Sequence, residues 1–301
     1  MVSELKLCEP YKAVFCDNST INLETIMRLK KRYKLYIIFI IARSGSTWLT
    51  ELAKNSNVLG VPQEWFNEGW IQTEDRALGC SPPKIVGLRD INTYAQWLAR
   101  SSASPCRVVG VQLSYYQLLA MQQLARVPSS AFRDITFFYL RRKNIIAQGI
   151  SLYKSASSGV FHSYQSTDHS DAYLSKVAYD PDRIKETIMG LLTCESGFEK
   201  HFSDHDMTPK RFFYEDLMAN PLNVLNWMDR TITGVLHPRI RTLPATTVRR
   251  LSNAGSLAWE QQFQTEFPDF CQEVDARRSS LDSGDVSGPL VAGHLPISLA
   301  G

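Results

Sequence analysis

Two features of the sequence predict an α/β fold with a central parallel sheet and helices on both faces. Short apolar runs of strand length alternate with segments of helical periodicity, which is the pattern of parallel βαβ units. The run at 36–42 is apolar without interruption, as is typical of a parallel strand buried on both faces. It is far shorter than the roughly 20 residues that span a bilayer, and Arg43 ends it, so we expect no transmembrane segment.

The predicted elements follow this alternation along the chain. Strands are predicted at about 35–42, 58–61, 107–113, 135–140 and 211–214. Helices are predicted at about 23–29, 46–55, 94–100, 118–124, 145–152, 184–202 and 221–228. The polar segment 154–180 predicts a mobile insertion. The chain then divides into an N-terminal extension at 1–32, one folded domain at 33–278 and a flexible C-terminal tail at 279–301.

The net charge and the cysteine and histidine content of the chain disfavour some classes of function. The 301 residues carry a net charge of +3, which is too small to indicate a nucleic-acid partner. The six cysteines form no CxxC motif, and the first ten residues contain no apolar signal region, so we expect a cytoplasmic protein with reduced thiols. His201 and His205 lie four residues apart but within a polar helix end, and we expect no metal.

The loop at 43–47, with the sequence Arg-Ser-Gly-Ser-Thr, is the first candidate binding element. It joins a buried strand to a helix, and the free N–H groups and positive dipole end of such a helix bind anions. The loop lacks the lysine and the second glycine of the GxxxxGK[ST] motif, which disfavours an ATP or GTP hydrolase. An ordinary turn whose serines cap the helix is the alternative.

Two further segments carry candidate chemistry. Glu64 follows the predicted strand at 58–61, where a carboxylate can accept a proton from an attacking hydroxyl; a helix-start glutamate is the alternative. Arg141 and Arg142 end a buried strand, where guanidinium groups suit bidentate phosphate binding; a solvated helix start is the alternative.

Four segments in this order resemble the trehalose-sulfotransferase type of carbohydrate sulfotransferase, a group similar to bacterial lipopolysaccharide and nodulation-factor sulfotransferases. They are ARSGSTWL at 42–49, PQEWF at 62–66, LRRKNIIAQGISLYKS at 140–155 and FFYEDLMANP at 212–221. The resemblance covers about 35–265, and RSGST followed by PQE[FW]F is its specific part. It implies a P-loop-like α/β fold and 3′-phosphoadenosine-5′-phosphosulfate (PAPS) as sulfuryl donor, with no metal.

The resemblance also implies roles for individual residues. The 5′-phosphosulfate would be held by Arg43, Ser44, Gly45, Ser46 and Thr47, of which Arg43 would also stabilise charge on the leaving group. The 3′-phosphate would be held by Arg142 and Ser151, with Arg141 as a neighbouring candidate. Glu64 matches the proposed general base of the family.

The acceptor side is less specific in the sequence. Three aromatic residues follow Glu64 and could stack on a sugar ring or belong to the core: Trp65, Phe66 and Trp70. In the predicted insertion, His162 is an alternative base or a surface residue, and a lid over the acceptor could be formed by Tyr153, Phe161, His162 and Tyr164.

The sequence departs from the family at one position, since Gln112 stands where the family strand usually reads G-x-K-[LM]. A loose likeness at 250–259 suggests a segment that closes over the nucleotide. The partner predicted is a hydroxyl-bearing carbohydrate or glycolipid, and the resemblance suggests a homodimer. A P-loop kinase or nucleotide hydrolase and a non-catalytic protein that binds PAPS or its desulfated product are the alternatives.

Overall fold

The computed structural model describes residues 7–72, 87–159, 161, 176–247 and 254–282. The chain forms two compact units. The sheet unit comprises Met1–Ile40, Ser46–Leu140 and Pro209–Thr246, and the helical unit comprises Ile41–Gly45, Arg141–Thr208 and Thr247–Gly301. The predicted domain boundaries stay predictions.

The sheet has four strands in the spatial order β2-β1-β3-β4, with helices before, between and after them along the chain. The strands are β1 (Lys34–Ile40), β2 (Val108–Leu113), β3 (Thr136–Arg141) and β4 (Lys210–Phe213). Strand β1 pairs in parallel with β2 and with β3, so the carboxyl ends of these strands share one edge of the sheet. The predicted α/β class with a central parallel sheet is confirmed.

The helices of the sheet unit are α1 (Glu9–Val14), α2 (Leu23–Arg32), α3 (Ser46–Asn55), α4 (Glu68–Gln72), α5 (Ile91–Ser102), α6 (Tyr115–Leu124), α9 (Tyr214–Ala219) and α10 (Pro221–Thr233). A 3₁₀ turn at Ser129–Phe132 precedes β3. The helices of the helical unit are α7 (Ile145–Ser158), α8 (Pro181–Asp204), α11 (Ala254–Glu266) and α12 (Pro268–Asp282).

One glycine fixes the packing of the central strands. Gly110 lies opposite Tyr36 in the register of β1 and β2, and a Cβ at Gly110 would come within 2.2 Å of the Tyr36 ring. The ring therefore lies over the glycine, and its hydroxyl donates to the carbonyl of Leu59 at 2.9 Å. A buried apolar cluster that includes Ile38 and Phe138 continues this core under β1 and β3.

The predicted strand at 58–61 was wrong. Val58 and Leu59 are buried, but Gly60 has a φ of +74°, and its Cβ position lies 2.6 Å from the carbonyl of Val108. A left-handed backbone interrupts the extended run, and pairing with β2 is limited to one bridge between Gln63 and Val111. The apolar run marks burial rather than strand pairing.

Two predicted segments, the insertion and the C-terminal tail, begin inside helices of the structure. Helix α7 continues to Ser158, so the first residues of the predicted insertion at 154–180 are helical, and Lys154 is buried. Helix α12 continues to Asp282, which places residues 279–282 of the predicted tail in a helix. Of the two predicted segments, residue 160 and the parts at 162–175 and 283–301 lie outside the described residues.

Candidate active site

The 43–47 loop is shared between the two units, with Arg43, Ser44 and Gly45 in the helical unit and Ser46 and Thr47 in the sheet unit. Arg43 and Gly45 both have positive φ, at 65° and 85°. Only glycine adopts this conformation at low cost, so the backbone of Arg43 is held in a strained form, as is frequent at functional sites.

Ser44 is the clearest sign of a ligand in this loop. It is fully buried, and its Oγ has no hydrogen-bond partner among the described residues. An unsatisfied buried hydroxyl costs about 1–3 kcal/mol, and a ligand oxygen that bonds to it would remove this cost. Helix α3 then begins at Ser46 with no acidic residue in its first turn, which leaves the field there favourable to an anion. These features fit a phosphosulfate group.

The predicted 3′-phosphate residues lie together with Arg43 in the helical unit. The Arg43 Nε donates to the Ser151 Oγ at 3.0 Å, and the Arg142 Nη1 contacts the Arg43 carbonyl at 3.4 Å. Gln148, one turn before Ser151 on α7, donates to the carbonyl of Ala42 at 2.7 Å. Residues more than 95 positions apart thus form one hydrogen-bonded group around the start of the loop.

Arg141, in contrast, binds another protein group. It is 2% exposed, and its Nη2 lies 3.1 Å from an Oε2 of Glu195, which is itself 1% exposed. Breaking the ion pair between a guanidinium and a buried carboxylate costs free energy, because it leaves a buried charge without its partner. This ion pair argues against Arg141 as a phosphate ligand, and that role stays a prediction.

Glu64 is held by two side-chain amides in the sheet unit. Its Oε2 accepts from Gln117 Nε2 at 2.9 Å and from Asn67 Nδ2 at 3.3 Å. Gln117 also forms the capping box of α6, because its Oε1 accepts from the Ser114 N–H at 3.0 Å. The half-buried carboxylate is therefore oriented by neutral donors, an arrangement that suits a proton acceptor.

The side-chain amide of Gln112 forms hydrogen bonds within the sheet unit. It is 2% exposed, and its Nε2 donates to the Ser46 carbonyl at 3.1 Å and to Thr50 Oγ1 at 2.9 Å. Thr50 in turn donates to the carbonyl of Pro62 at 2.6 Å. The side chain at the usual lysine position thus joins β2 to the first turn of α3 and to the segment that carries Glu64.

Two of the three aromatic acceptor candidates belong to the core. Trp65 is fully buried, donates from Nε1 to the carbonyl of Val61 and packs edge-on against Trp97, and Phe66 is 8% exposed. Burial of both rings argues against stacking on a sugar, and their role in acceptor binding stays a prediction. Trp70 is half-buried, and its Nε1 has no hydrogen-bond partner in the described part of the chain, so it stays a candidate.

Only some of the aromatic residues predicted to form a lid over the acceptor lie within the described residues. Tyr153 and Trp259 pack together, and the ammonium of Lys154 lies 3.9 Å from the centre of the Trp259 ring. The carbonyl of Phe161 accepts from Arg43. His162, Tyr164 and the segment 250–253 lie outside the described residues.

Two absences apply to the described residues alone. Within them, no cluster of His, Cys, Asp or Glu side chains could hold a metal ion. No helix in those ranges has the length and apolar content needed to cross a membrane.

Comparison with known proteins identifies the family to which these motifs belong. The sequence profile of the Stf0 sulphotransferase family matches residues 35–266, which is most of the chain. This chain belongs to the Stf0 sulphotransferase family. It is a sulfotransferase enzyme, as the resemblance of the sequence motifs implied.

Two relatives of this Stf0 sulphotransferase have similar lengths. The trehalose 2-sulfotransferase of Mycobacterium tuberculosis (strain ATCC 35801 / TMC 107 / Erdman) is 22% identical over 269 residues, which cover 80% of this chain and 98% of the relative. That of Mycolicibacterium smegmatis (strain ATCC 700084 / mc(2)155) is 22% identical over 260 residues, covering 77% and 94%.

Gln117 and Glu195 are the residues that sequence reasoning missed. Gln117 directly precedes the helix predicted at 118–124, and Glu195 was only a polar residue on a long predicted amphipathic helix. Their importance comes from partners more than 50 positions away, which no local pattern reveals.

Proposed function

We propose that this Stf0 sulphotransferase transfers the sulfuryl group of PAPS to a hydroxyl of a carbohydrate or glycoconjugate. The observation that carries the proposal is the hydrogen-bonded group of Arg43, Arg142 and Ser151 next to the Ser44 hydroxyl, which has no partner among the described residues. It offers two guanidinium groups and two hydroxyls to a ligand with several anionic groups, as PAPS has.

The donor side comprises the loop at 43–47 and two residues that follow β3, Arg142 and Ser151. Ser44, Gly45, Ser46 and Thr47 supply backbone N–H groups and hydroxyls for the 5′-phosphosulfate, and Arg43 balances the charge that develops on the leaving phosphate. Arg142 and Ser151 hold the 3′-phosphate. No metal is needed in this scheme, because the cationic and N–H donors supply the stabilisation.

Glu64 acts as general base on the acceptor side. As the acceptor oxygen forms its bond to sulfur, the bond from sulfur to the 5′-phosphate oxygen breaks, and the hydroxyl proton passes to the Glu64 carboxylate. The products are a sulfate ester and 3′-phosphoadenosine 5′-phosphate (PAP). The amides of Gln117 and Asn67 hold the carboxylate in place.

Trehalose is the first acceptor to test, since both relatives are named trehalose 2-sulfotransferases. The acceptor class rests on this likeness and on Trp70 as the remaining aromatic candidate. A cytoplasmic location and a homodimer remain predictions from the sequence, and analytical ultracentrifugation tests the second.

The function is tested by incubating the protein with PAPS labelled in its sulfate, together with trehalose, other disaccharides and glycolipids. Label is expected to move to a sugar, and calorimetry is expected to detect PAP binding. Binding of PAP without transfer to any acceptor in the panel would argue for a non-catalytic binding protein. A protein that does not bind PAP at all would contradict the proposal at its donor site.

A further inference from the structure

A buried charge cluster in the helical unit lies directly behind the turn that carries Arg142. Glu195 on α8 accepts from Arg278 on α12 through both oxygens, each at 2.9 Å, and also from Arg141. The side chains of Arg141 and Glu195 are 2% and 1% exposed, and that of Arg278 is 10% exposed. Nothing in the proposed reaction uses this cluster.

The guanidinium of Arg278 also donates hydrogen bonds to the backbone of the turn. Its Nη1 donates to the carbonyl of Lys143 and its Nη2 to the carbonyl of Arg142, both at 2.6 Å. Three residues, 142–144, separate β3 from α7, and Arg278 binds two of their carbonyls. The side chain of Asn144 caps α7 by accepting from the Ala147 N–H, so the turn is fixed at both ends.

The shape of the Arg278 side chain suits these contacts. The guanidinium groups of Arg141 and Arg278 share the carboxylate of Glu195. The flat, forked shape of a guanidinium allows Arg278 to bind the carboxylate and both carbonyls at once, which a lysine cannot do.

We propose that Arg278 is a positioning residue for the 3′-phosphate of the donor, because it fixes the backbone of Arg142 and Lys143. This inference rests on the proposed function, in which Arg142 and Ser151 hold that phosphate. It makes the last described helix, α12, part of the machinery that selects a 3′-phosphorylated nucleotide.

The test measures selectivity rather than affinity alone. PAP and adenosine 5′-monophosphate differ by the 3′-phosphate, so the ratio of their dissociation constants reports the contribution of that group. A variant that merely loosens the fold weakens both ligands and leaves the ratio unchanged. We expect Arg278→Gln to reduce the PAP preference roughly tenfold, at the low end of the range for residues that hold a ligand-binding group in place.

Two further variants separate the causes. Arg278→Lys keeps the charge and loses the fork, so it is expected to lose part of the preference, and it guards against failure of the glutamine variant to fold. Arg277→Gln is the matched control, because Arg277 is exposed and pairs with Glu273 on the surface of the same helix. Its PAP preference is expected to equal that of the parent.

The outcomes distinguish this inference from the proposed function. A parent protein that prefers PAP, with Arg278 variants that keep the preference within twofold, would overturn the role of Arg278 and leave the proposed function standing. A parent protein with no preference for PAP over the monophosphate would overturn both the 3′-phosphate assignment and the role of Arg278.

Discussion

Gln117 donates a hydrogen bond from its Nε2 to the Oε2 of Glu64 at 2.9 Å. The same glutamine closes the capping box at the start of α6, so the orientation of the carboxylate is tied to the end of a helix. In the sheet unit, Gln117 on the helix after β2 thus orients the proposed base, Glu64. Glu64 itself follows the segment 58–61, which the sequence predicted as a strand.

Replacement of the proposed base is the first prediction. Glu64→Gln keeps the shape of the side chain but cannot accept the hydroxyl proton, so turnover is expected to fall about 10²–10⁴-fold while PAP affinity is unchanged. Initial rates of label transfer and calorimetry with PAP measure the two quantities. Glu68→Gln is the control, since Glu68 is exposed on α4. Turnover of the Glu64 variant within a few fold of the parent would remove Glu64 as the base.

Gln117→Leu should impair turnover beyond its effect on stability. Loss of the capping box costs about 0.5–2 kcal/mol of stability, and Ser114→Ala removes the other half of the same box without touching Glu64. We expect both variants to unfold at similarly lowered urea concentrations, and the Gln117 variant alone to lose roughly tenfold in kcat, because the carboxylate loses a donor. Equal kcat values for the two variants would show that the amide does not position the base.

Ser44→Ala is expected to have opposite effects on stability and on donor binding. Removal of a buried hydroxyl without a partner in the described residues should leave the free protein as stable or more stable, while PAP binds about tenfold or more weakly because a bond to a charged oxygen is lost. Thermal unfolding without ligand and calorimetry with PAP measure these effects.

Ser102→Ala is the matched control for the Ser44 variant. The Ser102 hydroxyl is likewise fully buried with no partner in the described part of the chain, but Ser102 lies at the end of α5. It should share the effect on stability and leave PAP affinity unchanged. Unchanged PAP affinity in the Ser44 variant would mean that its hydroxyl does not meet the donor.

Gln112→Met should destabilise the sheet unit. Methionine has a similar volume but cannot donate to the Ser46 carbonyl or to Thr50, so the free energy of unfolding is expected to fall by about 1–3 kcal/mol. Urea unfolding measures it, with Gln122→Met on the exposed side of α6 as control. A loss below 0.5 kcal/mol, on the scale of ordinary surface substitutions, would contradict a structural role for this amide.

His201 predicts a loss of stability in acid. Burial, and next the neighbouring His205, lower the pKa of His201 from 6.5 to about 4, against an opposing effect of Asp204. Because the folded state disfavours the protonated form, the stabilisation is complete above pH 6.5 and is lost as the pH falls toward 4, at no more than about 1.4 kcal/mol per pH unit.

Urea unfolding at pH 7 and pH 5 tests this, with His201→Phe expected to remove part of the difference and His237→Gln, at an exposed position, expected to leave it unchanged. The same pH dependence in the His201 variant and the parent would assign the acid sensitivity to other groups.

The sequence by itself determined the parallel sheet, the loop at 43–47 and the sulfotransferase family. The central strand follows from a local pattern, since the run at 36–42 is apolar without interruption, and the family follows from the resemblance of four sequence motifs. The loop needed no long-range information, because its backbone N–H groups and its glycine are encoded in five consecutive residues.

Only the tertiary structure decided which protein groups the candidate side chains contact. Arg141 and Arg142 are adjacent in sequence and alike in chemistry, yet one binds the buried Glu195 and the other contacts the backbone of Arg43. The Trp65 ring is buried in the core, although Trp65 directly follows the proposed base, Glu64, in the sequence. The difference arises because burial and charge pairing depend on residues distant in the sequence, 32 positions away for Trp65 and Trp97 and 54 for Arg141 and Glu195, whose approach depends on how the elements pack.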